Sequence, residues 1–220
     1  LALVSQKNGE VSIIEINSET DFVAKNKDFI SFCKEISEIC LNQKGDLEKI
    51  NNTPMQNKIN VKDNLIDLIA KIGEKITIRR SIFFDNEKGK NFYYVHGTVE
   101  KNIGKIISLV KLNKIDDDKQ DLGTKLAMHI TASNPLAIDK DSLDKDILSK
   151  ELEIIKAELL NSGKKTEMID KISNGKINKF FSDNTLLNQI WIMDQKKKVS
   201  DILNEIKVIK FVRYKVGEGI

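Results

Sequence analysis

Only two histidines, His96 and His129, and two cysteines, Cys33 and Cys40, occur in these 220 residues. So few imidazoles exclude a His-rich metal site. The cysteines stand two helical turns apart on one face, too far along a helix to bridge each other. With no zinc-ligand spacing around them, they read as small apolar core residues of a reducing compartment. A Walker-type phosphate loop is missing, and Gly73-Glu74-Lys75 and Gly217-Glu218-Gly219 are too sparse for dinucleotide fingerprints. Asp116-Asp117-Asp118 reads as a solvated turn, since Mg²⁺ needs substrate phosphates or a shaped site besides carboxylates. An excess of one charge is also lacking: 36 Lys and Arg face 33 Asp and Glu, a net charge of +3. That balance forces no polyanionic partner, although Arg79-Arg80 and Lys196-Lys197-Lys198 form local basic clusters. No apolar run is long enough to span a bilayer and no signal peptide is visible, so a soluble intracellular protein is expected. Catalysis, cofactor and metal are therefore not expected, and protein binding rises by elimination.

What is present is a 40% apolar share, enough for one large domain or two small subdomains. Val11 to Ile16, behind the turn residues Asn8-Gly9, is β-branched and reads as a strand. Phe29, Phe32, Cys33, Ile36 and Cys40 recur at helical spacing, with Asn26 placed to cap that helix. A polar loop around Asn51 to Pro54 leads to a second helix carrying Val61, Leu65, Leu68, Ile69 and Ile72, stopped at Gly73. Strands are expected over Ile76 to Phe84, Phe92 to His96 and Lys105 to Leu112, the first two joined as a hairpin through Asp85 to Lys90. The acidic run at Asp116 links to a helix-rich second part. There Leu122, Leu126, His129 and Ile130 share a face that ends before Asn134-Pro135. Asp141-Ser142 caps a long helix with Leu143, Ile147, Ile154 and Leu159 toward a core, and further turns run from Thr166 to Leu187 and from Val199 to Glu205. Alternation from Val208 to Val216 predicts a closing strand. The expected architecture is α+β: subdomains 1–115 and 116–220, each a small antiparallel sheet covered by helices. An antiparallel helical hairpin is inserted at about 164–206.

The string Glu15-Ile16-Asn17-Ser18-Glu19-Thr20-Asp21-Phe22-Val23-Ala24-Lys25-Asn26, followed by Phe29, resembles the signature of the elongation factor Ts family. Further landmarks keep the same order: Ile72 to Arg80, His96-Gly97, Ile103-Gly104, Leu126 to Pro135, Ser162-Gly163-Lys164, Gly175 to Phe180 and Phe211 to Gly219. The resemblance implies a guanine-nucleotide exchange factor that binds elongation factor Tu and promotes GDP release. It implies partner contacts at Thr20, Asp21, Phe22 and Val23, with Phe22 as an apolar wedge near the Mg²⁺ side of the GTPase. A second contact is implied at Ile103-Gly104 and a third at His129. It also implies assembly through the helical hairpin, as a homodimer or a 2:2 complex, in a bacterial cytoplasm or a mitochondrial or plastid matrix.

Taken without the family, the same residues have folding explanations. Phe22 reads as a core or staple residue at a helix start, and Asp21 as a carboxylate favoured by the helix dipole. Gly104 reads as a turn or bulge glycine and His129 as a half-buried core histidine. Two departures from the family pattern stand out: a longer, charged link Thr98 to Asn102, and Gln189-Ile190-Trp191 where a proline precedes the aromatic, expected to alter the hairpin tip. The small N-terminal helical module of the family is not among these residues; the chain opens at Leu1 on a strand approach, so more residues are expected before it. The competing functions are a non-exchanging assembly protein of the same fold and an RNA-associated protein using the two basic clusters.

Overall fold

A computed structural model describes residues 1–114, 120–162 and 166–219. The Asp116 run and Gly163-Lys164 lie outside the described residues. The chain divides into two compact units, Leu1–Thr131 with Ile209–Ile220, and Ala132–Val208. Compactness thus groups the closing strand with the opening segment.

In the first unit β1 (Ala2–Lys7) and β2 (Glu10–Asn17) form a hairpin. Its two-residue turn is Asn8-Gly9, with φ of 52° and 82°, the left-handed pair that matches the twist of the flanking strands. Asn26 then accepts from the Asp28 and Phe29 amides at 2.9 and 3.2 Å and starts α1 (Lys27–Asn42) as expected. A short helix not expected from sequence, α2 (Leu47–Asn52), is capped by Asp46. The next helix, α3 (Val61–Ile72), ends on Gly73 at φ +79°, the left-handed stop predicted there. The strands β3 (Thr77–Phe84), β4 (Lys90–His96), β5 (Ile103–Gly104) and β6 (Ile106–Leu112) follow, and β7 (Val208–Lys215) returns last.

Two sheets result, in the orders β3-β2-β1-β5 and β4-β6-β7. The expected α+β fold with two small helix-covered antiparallel sheets is what forms. The expected β3–β4 hairpin is not: those strands lie in different sheets, and the loop between them crosses from one to the other. Side-chain bonds shape that crossing, with Asn91 Nδ2 donating to the carbonyls of Gly9 (2.8 Å) and Asp85 (2.6 Å), and Lys111 paired with Asp85.

Strand parity explains the layers. Leu3, Ile14 and Ile16 face one way, against Phe29, Cys33, Ile36 and Cys40 of α1. Ala2, Val4, Val11 and Ile13 face the other way, against Ile107, Leu109 and Tyr214 of the second sheet. A sheet buried on both faces needs an almost continuous apolar run, which is why Val11 to Ile16 does not alternate with polar residues. Each such large side chain contributes about 1.5–3 kcal/mol by leaving water. Burial also pushes the thiols up, Cys33 to about 12 and Cys40 to about 11, so both behave as apolar fillers.

One polar knot interrupts this core. A bulge between Glu15 and Ile16 pairs Glu15 with Arg80 and Ile16 with Ile78, leaving Arg79 unopposed. Consecutive arginines, which would point to opposite faces of a regular strand, therefore reach one carboxylate: Arg79 Nη1 to Glu15 Oε1 at 2.9 Å and Arg80 Nε to Oε2 at 2.5 Å. Arg79 also donates to the Glu218 carbonyl at 2.6 Å, and Arg80 lies 4.2 Å over the Tyr214 ring.

The chain continues through α4 (Gln120–Ser133) into the second unit. There α5 (Lys145–Asn161) packs on α6 (Thr166–Asn184), and a short α7 (Val199–Leu203) packs on the 3₁₀ turn Leu186–Asn188. Asp144, not Asp141-Ser142, caps α5, accepting from the Asp146 amide at 2.7 Å. Ile155 and Leu159 of α5 meet Ile169 of α6, while Ile147 and Ile154, expected inside, are exposed. The i, i+4 pair wins because it carries the stripe nearest α6. Gln189-Ile190-Trp191 lies between the Leu186–Asn188 turn and α7. It begins a small loop closed by Trp191 N–H on the Lys197 carbonyl at 2.8 Å.

Candidate functional site

After β2 the chain must turn from an extended strand into α1, and the turn is made by Ser18 to Asn26. Val23 opens a 3₁₀ turn and is buried, packed into the helix-side core. The Lys25 and Asn26 amides close back on the carbonyls of Phe22 (3.1 Å) and Val23 (2.9 Å). Phe22, by contrast, is 84% exposed, the most exposed large apolar side chain among the described residues. A phenyl ring kept in water beside a buried valine contributes little to folding, since its apolar area stays exposed.

The segment before Phe22 is held from a distance. Glu74, delivered by the Gly73 turn after α3, accepts from the Thr20 amide through Oε2 at 3.0 Å and from the Thr20 hydroxyl through Oε1 at 2.6 Å. In return the Lys75 amide donates to Glu19 Oε2 at 3.2 Å. Ser18 Oγ adds a local bond to the Thr20 carbonyl at 3.1 Å. These links were missed in the sequence, where Gly73-Glu74-Lys75 was weighed as a helix stop, a failed nucleotide motif and part of the Ile72 to Arg80 landmark. Asp21 is exposed between the clamp and Phe22.

The link that precedes the second expected contact lies close to the first. A cleft of about 990 Å³ is lined on one side by Ser18, Glu19, Thr20, Asp21, Ala24 and Lys25. Its other walls include His96, Gly97, Thr98, Val99 and Lys105. The structure therefore joins the corner to the link between β4 and β5. That link folds into a tight turn: Val99 N–H meets the Ile103 carbonyl at 2.9 Å, and Asn102 takes φ +65°. Glu100 pairs with Lys34 of α1 at 2.5 Å, which anchors the turn to the helix.

Three of the expected contact residues do not reach the surface with their side chains. Ile103 is 2% exposed and packs with Phe29 and Ile36, and His129 is wholly buried on α4. Val23 is buried as described. Gly104, paired with Ala2 in the first sheet, is required for space: a Cβ there would stand 2.6 Å from Val95 Cγ1 and 2.7 Å from the His96 carbonyl. Of the expected set, Thr20, Asp21 and Phe22 are exposed.

Among the described residues no group of three or more His, Cys, Asp or Glu is placed to hold a metal, and no helix is long and apolar enough to cross a membrane. The basic clusters separate: Arg79 and Arg80 are committed to Glu15 and the chain's last residues, whereas Lys196, Lys197 and Lys198 are exposed on the loop after Trp191.

Comparison with known proteins agrees with the corner's signature. The family model described as Elongation factor TS matches residues 19–218. The elongation factor Ts of Zymomonas mobilis is 36% identical over 219 residues, covering 95% of this chain and 71% of its own length. That of Methylobacterium nodulans is 36% identical over 231 residues, covering all of this chain and 75% of its own length. For Rhodopseudomonas palustris the identity is 38% over 229 residues, again across the whole chain and 74% of the relative. A match of this extent, running from the exposed corner to the closing strand, means that the chain belongs to the elongation factor Ts family.

Proposed function

We propose that this chain is a guanine-nucleotide exchange factor for elongation factor Tu in translation elongation, with Phe22 as the wedge that loosens GDP. The observation that carries the reading is the Phe22 ring, 84% exposed on a corner whose neighbours on both sides are fixed. Family membership supplies the partner. The physical logic is linkage: a protein that binds the nucleotide-free GTPase more tightly than its GDP form weakens GDP by the same factor. An apolar ring driven in beside the Mg²⁺ and phosphate contacts gains burial only in the state where those contacts are displaced. The chain itself makes and breaks no bond.

Thr20, Asp21 and Phe22 are the proposed direct contacts, and the cleft they share with His96 to Val99 receives the surrounding surface of the partner. Val23 and Ile103, in one core cluster behind the corner, and Gly104, against the His96 wall of the cleft, fix the exposed residues in place, while His129 stays in the set as a buried residue of α4. Their burial supports that supporting role. Exposed Ile154, Leu160 and Met168 on α5 and α6 support use of the helical pair in assembly, as a homodimer or a 2:2 complex. The relatives are bacterial, which supports a cytoplasmic setting. The test is release of fluorescent GDP from the cognate elongation factor Tu with and without this chain: acceleration is expected, and none contradicts the reading.

A further inference from the structure

We propose that Glu74 is a positioning residue for exchange: its carboxylate, by clamping the Thr20 amide and hydroxyl, holds Phe22 out in water ready for insertion. The inference rests on the exchange reading and deepens it. An exposed phenyl ring gains by folding onto any nearby apolar surface, and Ala24 and the cleft wall offer one. What prevents this is the backbone. After Phe22, Val23 is locked in the core and Asn26 is locked by capping α1. Before Phe22, the chain has left β2 at Asn17, and the long-range bonds on the corner come from the α3–β3 turn: Glu74 to Thr20, and Lys75 to Glu19.

Glu74 can reach Thr20 because Gly73, at φ +79°, reverses the chain at the end of α3. Two bonds from one carboxylate to the amide and hydroxyl of one residue fix both position and direction, and a charged acceptor makes each stronger than a neutral one. Neither Glu74 nor Thr20 belongs to the apolar core, so the clamp orders the corner without holding the fold together. An ordered wedge loses less freedom when it binds, which raises the productive fraction of encounters.

The experiment combines amide hydrogen exchange at Thr20 with GDP release from elongation factor Tu, using Glu74→Ala, Glu74→Gln, Thr20→Val, the Glu74→Ala/Thr20→Val pair, and Phe22→Ala as the control for the wedge. The clamp predicts faster exchange of the Thr20 amide in Glu74→Ala and about tenfold slower GDP release at an unchanged melting temperature. Glu74→Gln, which keeps one acceptor oxygen, recovers part of the rate. The double variant is slower by less than the product of the two single effects, because the part of Thr20→Val that acts through Glu74 is already lost. Wild-type GDP release in Glu74→Ala while Phe22→Ala is slow overturns the positioning role and leaves the wedge standing. Multiplying effects in the double variant overturn it as well. Wild-type release in both Phe22→Ala and Glu74→Ala overturns the wedge and the clamp together.

Discussion

The Glu15 carboxylate, without solvent exposure, accepts a hydrogen bond from the Gly217 amide at 3.0 Å, tying β2 to the chain's last residues across 202 positions. With Arg79 and Arg80 on the same two oxygens, Glu15 is the node that fastens the end of β7 to the first sheet. Glu15→Gln leaves two guanidiniums facing an amide, so destabilisation of about 3 kcal/mol is expected, at the low end for a broken buried pair because the arginines are partly exposed. Chemical denaturation of the two proteins measures it.

The same node sets a pH dependence. Burial alone raises the Glu15 carboxyl, but the Gly217 amide and then the Arg79 and Arg80 bonds outweigh it, so its pKa lies below the ordinary 4.5. A depressed folded-state value means that the contribution to stability is whole above pH 4.5 and is lost as pH falls through the folded value. The melting-temperature gap between wild type and Glu15→Gln is therefore steady near neutrality and narrows below pH 4.5. A gap that stays constant down to about pH 3 contradicts this account.

Gly104 carries a steric prediction. Its added Cβ would press on the His96 carbonyl, which is backbone and cannot rotate away as a side chain does. Gly104→Ala is expected to cost about 1–3 kcal/mol by overpacking. It also disturbs the Lys105 amide bond to His96 at 3.0 Å, and with it the wall of the cleft opposite Thr20. Denaturation and GDP release are both expected to show the loss, whereas Gly175→Ala on α6, where a Cβ meets nothing within 4 Å, is expected to be neutral or slightly stabilising.

How much of this was legible in the sequence depends on how local each cause is. The start of α1 and the end of α3 were readable because Asn26 and Gly73 act on their own backbone. The β3–β4 link was misread because turn residues announce a reversal without saying which sheet receives the next strand. Ile147 and Ile154 were expected inside with Leu159 because they share a face by spacing, yet only Leu159 of these three joins Ile155 in the contact with α6. Arg79-Arg80 looked like a surface cluster because a bulge, invisible in sequence, aims both at a buried glutamate. The exposed corner was located through its resemblance; residue type alone makes Phe22 a core residue. Glu74 was missed because its partner is 54 residues away.

The most direct test of the exchange account is Phe22→Ala in the GDP-release assay with elongation factor Tu. An 84% exposed ring contributes little to folding, so melting is expected within about 0.5 kcal/mol of wild type. If the ring is an anchor buried in the partner, acceleration of GDP release falls about thirtyfold, the size of a ~2 kcal/mol hot spot. Equal acceleration by wild type and Phe22→Ala contradicts the wedge.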